Sequence, residues 1–177
     1  MRIALIPMSA KPYHKGHDLL VRLASRECDE VRLFVSTSDR DNVSGEAMQQ
    51  VWDEHIEPSL PDNVYVEYGG SPVRKVWNEL GDSNEFAQLP EDYDNYVIYS
   101  DPTDLASNFP EEKLRKYVGK IYGMGYVELR PVDRATTARV SGKDCRRMLA
   151  AGDRNGFIDM MSDAIDGGAV FDILQGY

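Results

Sequence analysis

Lys11-Pro12-Tyr13-His14-Lys15-Gly16-His17 is the stretch on which the reading of this chain turns. The apolar run Ile3-Ala4-Leu5-Ile6 precedes it, and an amphipathic run starting at Asp18 follows it. Strand, tight loop and helix start, in that order, is how a parallel α/β sheet presents a ligand site. Two of the three histidines of the chain stand here, three residues apart, with Gly16 between them and Lys11 and Lys15 on either side of His14. A helix N-terminus offers free backbone N–H groups and the positive end of the helix dipole, so nearby cationic or donor side chains complete an anion site. The loop is expected to hold nucleotide phosphates.

Working outward, the remaining apolar runs alternate between strand and helix periods. Val31-Arg32-Leu33-Phe34-Val35, Val64-Tyr65-Val66-Glu67-Tyr68, Tyr96-Val97-Ile98-Tyr99 and Val127-Glu128-Leu129 read as strands. Leu19, Leu20, Leu23, Ala24 and Cys28 fall on one face of the first helix. Ala47, Met48, Val51, Trp52, His55 and Ile56 mark a second helix that Pro58 stops, with His55 as a packed core or boundary residue. A third follows Gly69-Gly70-Ser71-Pro72, with Val73, Val76, Trp77 and Leu80 inward; the acidic segment Gly81 to Asp94 is expected to be a surface loop. Pro110-Glu111-Glu112 opens a helix with Leu114, Tyr117, Val118 and Ile121 inside. Ser141-Gly142-Lys143-Asp144 has the pattern of a capping box, Gly152 is a C-terminal stop, and Phe157 to Ile165 makes one more helix before a short tail to Tyr177.

Five strands alternating with helices give the α/β class: a single Rossmann-like, doubly wound domain over residues 1–177, with a five-stranded parallel sheet. The site is expected where strands one, four and five end. That would bring together the His14/His17 loop, Asp101 at the end of the fourth strand and the Ser141 helix start. Asp101 has two readings, a ligand-side carboxylate or the residue that shapes an Asp-Pro turn.

Composition narrows the classes. The chain has 177 residues, 42% hydrophobic and 28% charged, as in ordinary soluble globular proteins. No run approaches transmembrane length, no signal-peptide pattern opens the chain, and Cys28 and Cys145 have no metal-ligand spacing. A reduced, cytoplasmic protein without a membrane is expected. The net charge of −10 argues against nucleic acid as a partner. It also makes the basic segment Arg130, Arg134, Arg139, Lys143, Arg146 and Arg147 conspicuous. That segment reads either as a solvated face or as a phosphate site.

Pro12-x-His14-x-Gly16-His17, taken with Val140-Ser141-Gly142-Lys143-Asp144-Cys145-Arg146, resembles the two motifs of the HxGH nucleotidylyltransferase superfamily. Met8 and Ala10 stand where many members have glycine and phenylalanine, and Lys143 where threonine is usual. The resemblance implies transfer of a nucleotidyl group from a nucleoside triphosphate, ATP or CTP, to a phosphorylated small-molecule acceptor, with release of pyrophosphate. No protein nucleophile is needed, so the chemistry is positioning and neutralisation of charge. It implies His17 donating to the α-phosphate, His14 contacting the triphosphate, and Gly16 leaving room for it. Ser141, Gly142 and Arg146 would hold the β- and γ-phosphates. Lys11 and Lys143 are further phosphate candidates from charge and position. Mg²⁺ is implied as the cofactor, carried mainly by the phosphates rather than by a protein metal site.

Within the superfamily the chain is most similar to nicotinamide mononucleotide adenylyltransferases. Pantetheine-phosphate adenylyltransferases and small cytidylyltransferases share the skeleton. A nucleotide-binding sensor without catalysis is the reading from another class, and a homo-oligomer is possible.

Overall fold

The computed structural model describes residues 1–133 and 139–176. Strands β1 (Arg2–Met8), β2 (Glu30–Val35), β3 (Val64–Tyr68), β4 (Asn95–Ser100) and β5 (Val127–Pro131) form one sheet in the order β3-β2-β1-β4-β5. Every neighbouring pair is parallel, with Ala4 opposite Val31 on one side and Val97 on the other. This is the Rossmann-like α/β fold. The chain runs from β1 outward to β3, then crosses back to lay β4 on the other side of β1. The crevice at that reversal, at the C-terminal ends of β1 and β4, is where such sheets bind ligands.

Alternation along the strands builds two cores, one on each face. Ala4, Ile6, Met8, Val31, Leu33, Val35, Val97 and Tyr99 join one cluster, whereas Ile3, Leu5, Phe34, Tyr96 and Ile98 join the other. The first is covered by α1 (Lys15–Glu27), α2 (Gly45–Val51) and three later helices. The second is covered by α3 (Pro72–Phe86), α4 (Pro102–Asn108), α5 (Glu111–Tyr117) and α6 (Gly119–Gly123). The later helices are α7 (Gly142–Ala151), α8 (Arg154–Asp159) and α9 (Gly167–Gln175). No helix among the described residues is long and apolar enough to cross a membrane.

Several local expectations are corrected. Leu19 is 46% exposed and Val21 turns inward, while Leu20, Ala24 and Cys28 are buried as expected. The second helix passes after Val51 into a π-helical turn, Trp52–Ile56, and a 3-10 turn that contains Pro58; His55 is half-buried at its boundary. The segment from Gly81 is not all loop. Helix α3 continues to Phe86, and Asn84 Oδ1 accepts from the Ile121 N–H at 3.1 Å, which anchors that last turn to α6.

Asp101-Pro102 starts a helix rather than a turn alone: Asp101 Oδ1 accepts from the Thr103 N–H at 2.8 Å, and proline takes the first helical position. The helix after Pro110 breaks at Val118, leaving Tyr117 57% exposed while Leu114, Val118 and Ile121 stay buried. The C-terminal region holds two helices, α8 and α9, where one helix and a tail were expected.

Candidate active site

Histidine is an unusual helix cap, and two of them build the start of α1. The Gly16 N–H donates to Nδ1 of His14 at 3.1 Å, and the His14 N–H donates to Nδ1 of His17 at 3.1 Å. This is a capping box made of imidazoles. With Nδ1 accepting, the ring proton of each neutral imidazole sits on Nε2, so Nε2 is the donor. Both residues are buried, at 4% and 6% exposure, and both line one cleft.

Behind them Asp18, also buried, accepts from Tyr13 Oη at 2.8 Å, Arg22 Nε at 2.8 Å and Ser162 Oγ at 2.7 Å. Tyr13 in turn stacks on His17, with centroids 5.5 Å apart, and burial beside Asp18 pushes its phenol well above the usual range. The first turn of α1 is therefore braced from below by a satisfied polar network.

The cleft has a volume of about 540 Å³, within the span of small-molecule sites. One wall belongs to the α1/α7 face: His14, His17, Val140, Ser141, Gly142, Lys143 and Arg146. The opposite wall belongs to the α3/α4 face: Pro72, Val73, Asp101, Asp104 and Asn108. The floor is the end of β1 from Pro7 to Ala10, and Ser36 and Arg40 come from the β2–α2 loop. The two motifs and Asp101, distant in sequence, thus meet in one place.

Helix α7 begins at Ser141, whose Oγ accepts from the Asp144 N–H at 3.2 Å. That hydroxyl keeps its proton for donation. The N–H groups of Gly142 and Lys143 belong to the first turn, where no intrahelical acceptor exists. The Arg146 guanidinium is fixed by Nη1 donating to the Lys11 carbonyl at 2.8 Å and by Nε pairing with Asp41 at 3.0 Å. Arg147 points elsewhere and pairs with Asp144 at 3.4 Å. The basic segment accordingly divides. Lys143 and Arg146 reach the cleft, Arg130 pairs with Glu27 at 3.4 Å, and Arg134 lies outside the described residues.

Two expected residues, Lys11 and Gly16, are placed differently from the sequence reading. Lys11 does not line the cleft; its ammonium donates to the carbonyls of Ser9 and Ser36, and burial lowers its pKa to about 8 against the opposing pull of Asp39. Gly16 makes room for protein rather than ligand. A Cβ there would lie 2.9 Å from Cε1 of His14 and 3.3 Å from Cγ1 of Val140. Gly142 does line the cleft, and a Cβ there would lie 2.8 Å from Nη1 of Arg146.

Sequence reasoning missed Arg40, Asp104 and Asn108. The first sits in a loop whose only visible signal was polarity, and the other two sit on a short helix with a single buried residue, Leu105. Among the described residues no group of three or more His, Cys, Asp or Glu side chains is arranged around a metal.

A family profile described as the citrate lyase ligase C-terminal domain matches residues 3–70, which includes the His14/His17 loop and ends before the Ser141 helix. No curated protein matches in sequence. Among solved structures, a candidate nicotinate-nucleotide adenylyltransferase from Vibrio parahaemolyticus is 13% identical with a TM-score of 0.58, over 98% of this chain and 97% of that one. A bifunctional NMN adenylyltransferase/ADP ribose pyrophosphatase from Francisella tularensis is 15% identical with a TM-score of 0.58, over 99% of this chain and 48% of that one. Thermotoga maritima TmcAL bound with alpha-thio ATP is 11% identical with a TM-score of 0.54, over 99% and 56%. The chain thus spans about half the length of the last two. At these identities the likeness is one of fold, a nucleotidylyltransferase-like fold. Motifs, family match and fold are together consistent with the HxGH nucleotidylyltransferase superfamily.

Proposed function

We propose that this chain, acting as one domain, is a nucleotidylyltransferase that moves a nucleotidyl group, adenylyl in the favoured reading, from a nucleoside triphosphate to a phosphate-bearing acceptor. A phosphate oxygen of the acceptor attacks the α-phosphorus in line. The bond from the α-phosphorus to the bridging oxygen breaks, and pyrophosphate leaves with that electron pair. Nothing in this sequence needs a protein nucleophile, and donors aimed at developing negative charge supply the catalysis.

The observation that carries the reading is the convergence of two helix starts on one cleft. At α1, His14 and His17 present Nε2 donors whose tautomers are set by their caps. At α7, Ser141, Lys143, Arg146 and the first-turn N–H groups provide a cradle for the β- and γ-phosphates. His17 is the α-phosphate donor, and His14 contacts the triphosphate. Asp101 and Asp104 on the far wall are the carboxylates that would help to hold a divalent cation such as Mg²⁺ carried mainly by the phosphates. Such an ion would supply additional neutralisation of charge.

Nicotinamide mononucleotide is the first acceptor to try, on the strength of the motif resemblance and the Francisella neighbour. The citrate lyase ligase match gives no ground for choosing between ATP and CTP. The test is pyrophosphate release with ATP or CTP against nicotinamide and nicotinate mononucleotides, phosphopantetheine and simple phosphoalcohols, with Mg²⁺. Turnover with one pair is the expected result. Nucleotide binding without turnover on any acceptor would favour the non-catalytic sensor, and absence of nucleotide binding would sink both readings.

A further inference from the structure

Lys11, in the loop that carries the histidines, is buried at 3% exposure, yet it does not line the cleft. The β1–β2 ladder ends with the Ser36 N–H donating to the Met8 carbonyl at 3.2 Å. One step beyond, the carbonyls of Ser9 and Ser36 face each other without a strand N–H between them, and the Lys11 ammonium bridges the two. A side chain supplies the rung that the backbone lacks. The peptide oxygen of the same residue accepts from Arg146 Nη1 at 2.8 Å. Lys11 therefore touches the end of β1, the start of the β2–α2 loop and helix α7.

We propose that Lys11 is a positioning residue that ties the β2–α2 loop and the Arg146 guanidinium to the histidine loop at the spacing a polyphosphate requires. The proposal rests on reading the cleft as a polyphosphate site.

Packing alone does not account for a lysine here. An alkyl side chain of equal length would fill the space without desolvating an ammonium, whereas only a donor can join two carbonyls. The loop that begins at Ser36 carries Arg40 into the cleft and Asp41 onto Arg146 at 3.0 Å. Asn42 Nδ2 reaches the Arg146 carbonyl at 3.0 Å, so loop and helix are already one unit once the Ser36 end is held. Asp39, from the same loop, is the charged group that acts on the ammonium, and burial opposes it strongly enough to bring the pKa to about 8. Arg146 meets only the peptide of Lys11 and has Asp41 as its own counter-charge. The bridge consequently weakens as pH rises past about 8, when its charge-assisted bonds become neutral ones.

The test uses Lys11→Met and Lys11→Arg in the full chain, with inorganic tripolyphosphate as the probe. Amide hydrogen exchange is followed over residues 36–43, tripolyphosphate affinity between about pH 7 and 9, and thermal unfolding throughout. Lys11→Met is expected to speed exchange in 36–43 and to weaken tripolyphosphate binding, each roughly tenfold, without lowering the melting temperature. Wild-type affinity should fall above about pH 8 relative to both variants, because methionine never carries the charge and arginine never loses it.

Lys11→Met protein with wild-type exchange and affinity overturns the proposal. So does Lys11→Arg protein that keeps the wild-type alkaline fall, and this second outcome stays readable if the methionine variant does not fold. Faster exchange in Lys11→Met, in a protein that binds no tripolyphosphate at all, overturns the reading of the cleft while upholding the tie.

Discussion

The imidazoles of His14 and His17 lie with ring centroids 3.9 Å apart and planes inclined by 32°, joined by the bond from the His14 N–H to Nδ1 of His17. The two rings form one preorganised unit: moving either displaces the other. Replacement of His17 therefore separates into a chemical loss and a small structural one. His17→Ala should lower kcat by on the order of 10²–10³ while nucleotide affinity changes little, since a donor aimed at developing charge acts mainly in the transition state. The lost cap bond should cost about 1 kcal/mol in urea unfolding. Equal loss of kcat and of affinity, in pyrophosphate release and nucleotide titration, would reduce His17 to a ground-state contact.

At Gly142 the expected damage is local. An alanine Cβ would lie 2.8 Å from Nη1 of Arg146, the far end of a flexible side chain that can swing away at little cost to the fold. Gly142→Ala should keep the melting temperature within about 2 °C of wild type and raise KM for the nucleotide roughly tenfold, as a charged phosphate partner is displaced. Unchanged KM would mean that Arg146 does not touch the nucleotide from its observed position.

Asp18 should matter more to stability than any residue that lines the cleft. It receives bonds from Tyr13, Arg22 and Ser162, and an amide in its place would confront those donors with its own N–H₂ group. Asp18→Asn is expected to cost about 3 kcal/mol in chemical denaturation, in the range for breaking one partner out of a buried network. A cost well under about 1 kcal/mol would show that the network does not brace α1.

Lys11 gives the molecule a pH response with a definite sign. Its pKa is near the ordinary lysine value of 10.5 when unfolded and about 8 when folded, so between those values the unfolded chain binds more protons. Its contribution to folding stability therefore rises with pH through that window and is constant below it. Denaturation midpoints of wild type minus Lys11→Met should increase between about pH 8 and 10, and a decrease would contradict the assignment. Global stability and the local rung between Ser9 and Ser36 then respond to alkali in opposite directions.

The strands were legible because the central ones are buried on both faces and read as unbroken apolar runs, such as Ile3 to Ile6 and Tyr96 to Tyr99. The helix starts that bear the candidate site were legible because capping chemistry is local: Ser141 caps its own helix three residues on. Helix α4 was hidden because Asp101-Pro102 serves equally as a turn and as a helix start, and only Leu105 is buried along it. Tyr117 was misplaced because the break at Val118 interrupts the period that would have turned it inward.

The placement of Lys11 could not be read at all. Its charge is spoken for by a carbonyl 25 residues away, and no local pattern encodes that distance. Arg40 is the same kind of case, brought to the cleft by a loop whose geometry depends on contacts with α7.

The imidazole cap of α1 also bears on how a lineage of this chain could change. Serine or aspartate at position 14 would be the more usual acceptor for the first-turn N–H groups, so release from any need for the reaction would favour such a replacement. A descendant that had given up turnover but kept its nucleotide should then betray itself by an ordinary capping residue at 14, with the bracing carboxylate at 18 retained. Reading those two positions together would tell active from retired members of the lineage before any assay was run.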